Sequence, residues 1–118
     1  MSSSDLIWSL KNGDLESVIE QFESKKVDVN ASLDGRSAIH YAADYGHTDI
    51  IEFLISKGVD LNAVDKHGIS PLLAAIWEGH TECVRLMITS GAHKSGRTPD
   101  GQTYLEAAEK AEIKSLLK

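Results

Sequence analysis

The sequence predicts an all-α solenoid, a single domain of about four helix-turn-helix repeats. Two observations carry this prediction. Glycines, capping residues and apolar residues recur at a step of 33 positions, and each period holds two short amphipathic segments separated by turn residues. A fixed period of roughly 20–50 residues is typical of supersecondary units that stack and bury their apolar faces against one another.

The 33-residue step appears in several columns of equivalent residues at once. The columns combine turn, capping and core residue types, which chance does not readily place on one period. They are Gly13/Gly46/Gly79, Gly35/Gly68/Gly101, Gly58/Gly91, Ser37/Ser70/Thr103, Ile39/Leu72/Leu105, Ala42/Ala75/Ala108, His47/His80 and Leu54/Met87.

One period, residues 65–91, shows why each element is expected. Residues 65–68 have the composition of a turn, because Gly68 can adopt a positive φ without strain. Ser70 suits a helix N-cap, and Pro71 suits the first helical position, where its missing N–H costs nothing. The turn is therefore followed at once by a helix.

The rest of the period predicts a helix pair. Residues 72–76 give the first helix an apolar face, and Gly79 ends it. Thr81 caps a second helix, in which apolar residues at 84, 87 and 88 recur at helical spacing before Gly91. The repeating unit is a turn, a helix, a short loop and a helix.

These residues resemble the ankyrin repeat family, whose motif combines D-x-x-G-x-T-P-L-H-x-A-A with G-H-x-x-x-V-x-x-L-L-x-x-G-A. The first half matches residues 34–43 and 65–75, and the second half matches 46–58 and 79–92. The resemblance covers nearly the whole chain and implies an ankyrin solenoid with hairpin-like finger loops. The implied units are an N-terminal capping repeat at 1–33 with helices near 4–12 and 14–24, repeat 2 at 34–66, repeat 3 at 67–99, and a truncated C-terminal capping repeat at 100–118.

Two departures from the motif affect the loops. The distance from Asp28 to Asp60 is 32 residues, so the first finger is one residue short. Residues 93–95 replace the Asp-x-Asn of the two earlier repeats, which predicts a looser last connection.

Composition excludes several classes of function. The 118 residues include 12 Lys and Arg against 18 Asp and Glu, a net charge of −6. This balance argues against binding to nucleic acid or to anionic lipid. One cysteine cannot form an internal disulfide, and no apolar run approaches the roughly 20 residues of a membrane span. With no signal peptide pattern at the N-terminus, we expect a cytoplasmic protein, with the nucleus as a further compartment.

No motif predicts catalysis, a cofactor or a metal site. The sequence has no Gly-rich phosphate loop, no His-Glu-x-x-His and no nucleophile elbow, so we expect a protein that is not an enzyme. Cys83 falls at an apolar position of a second helix and is interpreted as a small buried hydrophobe rather than a reactive thiol.

The histidines are interpreted mainly as architectural. The histidine of the ankyrin motif survives only as His40, with Leu73 and Glu106 at the equivalent positions. The resemblance implies that His40 binds neighbouring backbone. His47 and His80 recur at the repeat step after a helix-ending glycine, which favours a role in the scaffold.

Aromatic residues predict a binding surface. Trp8, Tyr41, Tyr45 and Trp77, four of the seven aromatics, fall on first-helix columns that face the concave groove in the ankyrin architecture. Tryptophan and tyrosine outside the core are favoured in interface hot spots. The alternative is that Trp8 and Tyr45 shield the packing between helices.

Charge supplies a second indication. Residues 1–92 carry 14 acidic and 7 basic residues, a net charge of −7, whereas residues 93–118 carry 4 acidic and 5 basic residues, a net charge of +1. The acid excess therefore belongs to the repeats that supply the aromatics, which favours a basic protein surface as partner. Ordinary solubilising acidity is the alternative.

A closer resemblance, to a small four-repeat member of the family, extends over residues 8–15, 40–44, 65–67, 70–73, 78–80 and 99–101. It implies a monomer that binds the heterodimeric F-actin capping protein through that protein's basic surface and blocks its association with filament barbed ends. Regulation of Rel/NF-kappa-B-type transcription factor dimerisation and a generic ankyrin adaptor role are the alternatives. The contact residues that this resemblance implies are Trp8, Asp34, Arg36, Tyr41, Asp44, Lys66, His67, Trp77, Glu78 and His80.

Overall fold

Helix pairs repeat along the chain as the sequence predicts. The computed structural model describes residues 4–118, so the first three residues of the predicted N-terminal capping repeat lie outside the described part. Within it the helices are α1 (Ser4–Asn12), α2 (Leu15–Lys25), α3 (Ala38–Tyr45), α4 (Thr48–Ser56), α5 (Pro71–Glu78), α6 (Thr81–Thr89), α7 (Tyr104–Ala107) and α8 (Ala111–Leu117). The predicted all-α repeat solenoid is confirmed.

The helices stack in two rows. Helices α1, α3, α5 and α7 form an inner row, in which α3 packs against both α1 and α5, and α2, α4, α6 and α8 form an outer row. The stack measures 40 × 24 × 22 Å. One apolar cluster runs through it, with fully buried members that include Leu10, Val18, Ile39, Leu54, Leu72, Met87 and Ile113.

None of the helices described has the length and apolar character to cross a bilayer.

The first finger is shorter by one residue because its turn is tighter. Leu33 and Arg36 pair as a two-residue hairpin, and both central residues, Asp34 (φ 62°) and Gly35 (φ 91°), have positive φ. Positive φ at both positions is the signature of a type I′ turn, for which Asp-Gly is a preferred pair. In the next finger three residues lie between Asp65 and Ile69, whose backbones bond at 2.9 Å.

The last connection keeps a bond to the repeat before it. The His93 N–H donates to Asn62 Oδ1 at 2.8 Å, just as the Asp60 N–H donates to Asn30 Oδ1 at 2.7 Å. Replacement of the Asp-x-Asn sequence at residues 93–95 therefore leaves this inter-repeat contact in place.

His40 joins two repeats through both ring nitrogens. Nδ1 accepts the Ser37 N–H at 3.2 Å, which leaves the proton on Nε2 to donate to the Ile69 carbonyl at 2.8 Å. Burial lowers the pKa of His40 below its ordinary value of 6.5, despite the opposing bond to Ile69. The backbone-binding role that the resemblance implies for His40 is what the geometry shows.

A second series of contacts links the end of each inner helix to the following repeat. His47 Nε2 donates to the Lys11 carbonyl at 2.8 Å, and His80 Nε2 donates to the Asp44 carbonyl at 3.0 Å. Lys110 Nζ donates to the Gly79 carbonyl at 2.7 Å, just past the end of α5 and two residues beyond the position equivalent to Asp44. The architectural interpretation of His47 and His80 fits this geometry.

Cys83 is buried in α6, and burial raises the pKa of its thiol to about 11. The thiol is therefore protonated at neutral pH and a poor nucleophile. The interpretation of Cys83 as a small buried hydrophobe agrees with this environment.

Stability should fall on mild acidification because of His40. A pKa that folding lowers means that the unfolded chain binds more protons, so the contribution of His40 is complete above pH 6.5 and is lost as pH falls from 6.5 through the lower pKa of the folded state. We expect His40→Gln to lower the free energy of unfolding by about 1–2 kcal/mol at pH 7 and to flatten its decline between pH 7 and 5. Urea unfolding followed by circular dichroism measures both, with His67→Gln on an exposed finger as control. An unchanged slope in His40→Gln would contradict the assignment.

Two glycines with similar backbone but different surroundings provide a matched test of the contact between repeats. At Gly46 (φ 79°) an added Cβ would lie 2.7 Å from His80 Nδ1, whereas at Gly58 (φ 83°) it would meet open space. Gly58→Ala should cost about 1 kcal/mol of stability from backbone strain alone. Gly46→Ala should cost at least about 1 kcal/mol more, because the His80 ring must move. Equal losses in thermal or urea unfolding would show that the His80 ring moves without cost.

Candidate protein-binding surface

The ten predicted contact residues lie on the inner helices, on two fingers and at one loop. The inner helices hold five of them, namely Trp8 on α1, Tyr41 and Asp44 on α3, and Trp77 and Glu78 on α5. The fingers hold Asp34, Arg36, Lys66 and His67, and His80 precedes α6 as its N-cap residue. The structure divides this set into residues that bind one another and residues that face solvent.

Arg36 is the centre of the internal group. Its Nη1 lies 3.4 Å from Asp44 Oδ2, and its Nε lies 3.5 Å from Asp65 Oδ2. The guanidinium carbon is 5.0 Å from the centroid of the Tyr41 ring, within the range of a cation–π contact. These contacts hold the first finger to α3 and to the next finger. The Arg36 side chain is only 21% exposed, so little of it remains for a partner to contact.

The prediction that Tyr41 is an available groove aromatic is wrong. Tyr41 is only 5% exposed, and its hydroxyl donates to the Leu33 carbonyl at 2.7 Å. Burial raises its pKa, against the opposing effect of Arg36. Lys11 Nζ also lies 5.9 Å from the ring centroid, so two cations of the chain, Lys11 and Arg36, lie near this ring.

Asp65 is a residue that sequence reasoning missed. Its side chain accepts the N–H groups of His67 at 2.8 Å and of Ile69 at 3.0 Å, and it pairs with Arg36. Burial alone would raise its pKa, but the two N–H bonds, with His40 and Arg36, lower it overall. In the sequence, an aspartate that opens a D-x-x-G segment predicts only a turn. Nothing local in the sequence indicates that the Arg36 side chain reaches this carboxylate.

Lys66 joins the two fingers while its charged end remains exposed. Its N–H donates to the Gly35 carbonyl at 3.1 Å, and the aliphatic part of its side chain lies where a Cβ on Gly35 would be. His67 and Asp34 are exposed at the finger tips. These three residues therefore keep the accessibility that a contact role needs.

His80 combines a predicted contact role with a structural bond. Its ring is half-buried, and Nε2 is committed to the Asp44 carbonyl. We assign it primarily to the repeat interface.

The exposed aromatics occupy two separate places. Trp8 is 58% exposed and borders a groove of about 360 Å³ between α1 and α2, together with Ser9, Ser17 and Gln21. Tyr45 and Trp77, 46% and 45% exposed, lie in the last turns of α3 and α5. Trp8 is thus at the end of the stack, and the other two face the middle of it.

The structure also corrects the expectation that acidic charge concentrates with the aromatics. Inner helices α1, α3 and α5 carry only Asp5, Asp44 and Glu78, and Asp44 is paired with Arg36. A larger share lies on the exposed positions of the outer helices, because their solvent faces must be polar. Those residues are Glu16, Glu20, Glu23, Asp49, Glu52 and Glu82.

The surface has the character of a contact face. Among residues 4–118 no group of three or more His, Cys, Asp or Glu side chains is placed to hold a metal ion. What the described residues offer is a set of exposed aromatic and charged side chains on a rigid stack, which is the form of many protein-recognition surfaces.

Comparison with known proteins agrees with this form. The family model for ankyrin repeats (3 copies) matches residues 6–98. Myotrophin of Xenopus tropicalis is 48% identical over 118 residues, which are 99% of each chain. The E3 ubiquitin-protein ligase hecd-1 of Caenorhabditis elegans is 34% identical over 104 residues, which cover 87% of this chain but 4% of that protein.

Solved structures share the fold. A chain in the complex of the Bd0816 predatory endopeptidase from Bdellovibrio bacteriovorus with immunity protein Bd3460 superposes with a TM-score of 0.91 at 26% identity. The match covers 99% of this chain and 63% of that one. Repeat period, helix pairs, finger turns and sequence identity agree: the chain belongs to the ankyrin repeat family, whose members are protein-interaction modules.

Proposed function

We propose that this protein is a non-enzymatic inhibitor of the heterodimeric F-actin capping protein. It covers the basic actin-binding surface of that protein and so permits growth of filament barbed ends. The observation that carries the proposal is the 48% identity to Xenopus tropicalis myotrophin across 99% of both chains, since the sequence resemblance implies this partner. The proposed site of action is the cytoplasm, with the nucleus as a further compartment.

The geometry supports a contact face with two exposed parts. Trp8 presents one aromatic at the end of the stack, and Trp77 and Glu78 present an aromatic and a carboxylate at its middle. The finger residues Lys66 and His67 are exposed as well. Tryptophans held on rigid helices lose little side-chain entropy on binding, which suits them to anchor a complex.

Residues of the internal group act by positioning. The Arg36 guanidinium fixes Asp44 and Asp65 and covers the Tyr41 ring. These contacts hold the first finger in place, so the group sets the shape of the face without itself being widely exposed.

A barbed-end elongation assay tests the proposal directly. Addition of the purified chain to capped filaments should restore growth, and the effect should weaken as ionic strength rises because exposed charges are screened. Capping that is unaffected at saturating protein would refute the proposal. A pull-down of Rel-type transcription factors by the same chain tests the alternative partner that the resemblance implies.

Charge reversal should separate the inner face from the outer one. Glu78→Lys on α5 should raise the concentration needed to restore growth by roughly tenfold, the size of effect expected when a like charge meets a basic partner. Glu52→Lys makes the same change on outer helix α4 and should leave that concentration nearly unchanged. Both residues are exposed, so neither should shift the circular dichroism melt. Equal effects of the two variants would place the contact outside the inner face.

Arg36→Ala should act through structure. It removes the cation beside the buried Asp65 carboxylate, and we expect a loss of about 1–3 kcal/mol in the free energy of unfolding. Arg36→Lys keeps the charge but not the planar contact with Tyr41, and should lose less. Urea unfolding of the two variants measures the difference, and a stability equal to wild type in Arg36→Ala would contradict the positioning role.

A further inference from the structure

The inner helices already stack cations on aromatic rings at successive places. Lys11 Nζ lies 5.9 Å from the Tyr41 centroid and 6.0 Å from the Tyr45 centroid, and Arg36 lies 5.0 Å from the Tyr41 centroid. These internal pairs belong to α1, α3 and the first finger. On this side of the stack, cations of the chain therefore lie against the faces of two tyrosine rings.

Trp77 is an exposed aromatic that lacks such a partner. It occupies the same column as Lys11 and Asp44 in the 33-residue register and is 45% exposed. Within residues 4–118 no Lys or Arg lies over its ring, although indole is the ring that binds cations most strongly. Trp77 is therefore an exposed indole whose ring meets no Lys or Arg among the described residues.

The surroundings of Trp77 also favour positive charge. Glu78, the next residue, is exposed, and both residues lie in the last turn of α5, where the carbonyl end of a helix attracts cations. Lys110 Nζ already binds the Gly79 carbonyl at this end. Lys110 is thus held by a carbonyl at this helix end, and Lys11 lies against the Tyr41 and Tyr45 rings, so neither covers the Trp77 indole.

We propose that the surface formed by Asp44, Tyr45, Trp77 and Glu78, the α3–α5 patch, receives an arginine side chain of a protein partner. The guanidinium plane stacks on the Trp77 indole while its N–H groups donate to the Glu78 carboxylate. Arginine fits better than lysine because its planar group can stack and bind a carboxylate through two donors at once. This inference deepens the proposed function and rests on it only in taking the partner surface to be basic.

The chain contains two tryptophans, so its two indole N–H signals in a nitrogen-15 NMR spectrum report on the two places separately. Trp8→Phe and Trp77→Phe assign them. Acetylated, amidated tetra-arginine should shift the Trp77 signal saturably and leave the Trp8 signal in place, and it should bind roughly threefold or more tightly than tetra-lysine of equal charge. Equal shifts at both indoles, equal affinity for the two peptides, or no shift at Trp77 would overturn the inference.

Variants separate this inference from the proposed function. Trp77→Leu should weaken tetra-arginine binding and the restoration of barbed-end growth by about 2- to 30-fold, the range of a cation–π contact, and Trp77→Phe should recover part of each. If wild-type chain restores growth and Trp77→Leu does so at the same concentration, the patch is wrong and the proposed function stands. If wild-type chain fails to restore growth, the proposed function is wrong, and the peptide titration alone decides the patch.

Discussion

Inner helices α1, α3 and α5 are each followed by a glycine with positive φ, and the stack depends on the side chains that bind carbonyls at these three helix ends. His47, His80 and Lys110 donate to carbonyls at the ends of three successive inner helices. A helix terminus has several carbonyls without partners inside the helix, and leaving them unpaired at an interface costs free energy. Each of these helix ends therefore needs a donor from the following repeat, which is a histidine in two cases and a lysine in the third.

The candidate contact face depends on a second set of internal contacts, which also pair polar groups that would otherwise lack partners. A buried or half-buried polar group is tolerated only where partners surround it. Asp65 meets this condition through two N–H groups and Arg36, and no buried side-chain polar atom among the described residues lacks a hydrogen-bond partner. Arg36 is consequently paired with Asp44 and Asp65 within the protein. Lys66, Glu78 and the exposed aromatics remain accessible.

The sequence was sufficient for the parts of the structure that follow from local pattern. Repeat period, helix pairs and capping residues such as Ser70 could be predicted, because each depends on residues close together in the chain. The burial of Tyr41 could not be predicted, since it depends on the Arg36 guanidinium lying over the ring and on the Leu33 carbonyl accepting the hydroxyl. The distribution of acidic charge was also beyond the sequence argument, because summing charge over residues 1–92 does not distinguish inner from outer helices. Asp65 was missed for a related reason: its partner Arg36 lies 29 positions away in the chain and is brought near only by stacking.

The type I′ turn at Asp34 and Gly35 has a consequence for how such a chain changes in length. The turn removes one residue from the finger, yet α3 still packs against α1 and α5 in the same row as its neighbours. Single-residue deletions are thus absorbed at the finger tips, where the backbone can exchange one tight turn for another, while a deletion within a helix would rotate every later side chain by about 100°. Drift in repeat length over evolutionary time is accordingly confined to the finger loops, while the stacked helices stay in place.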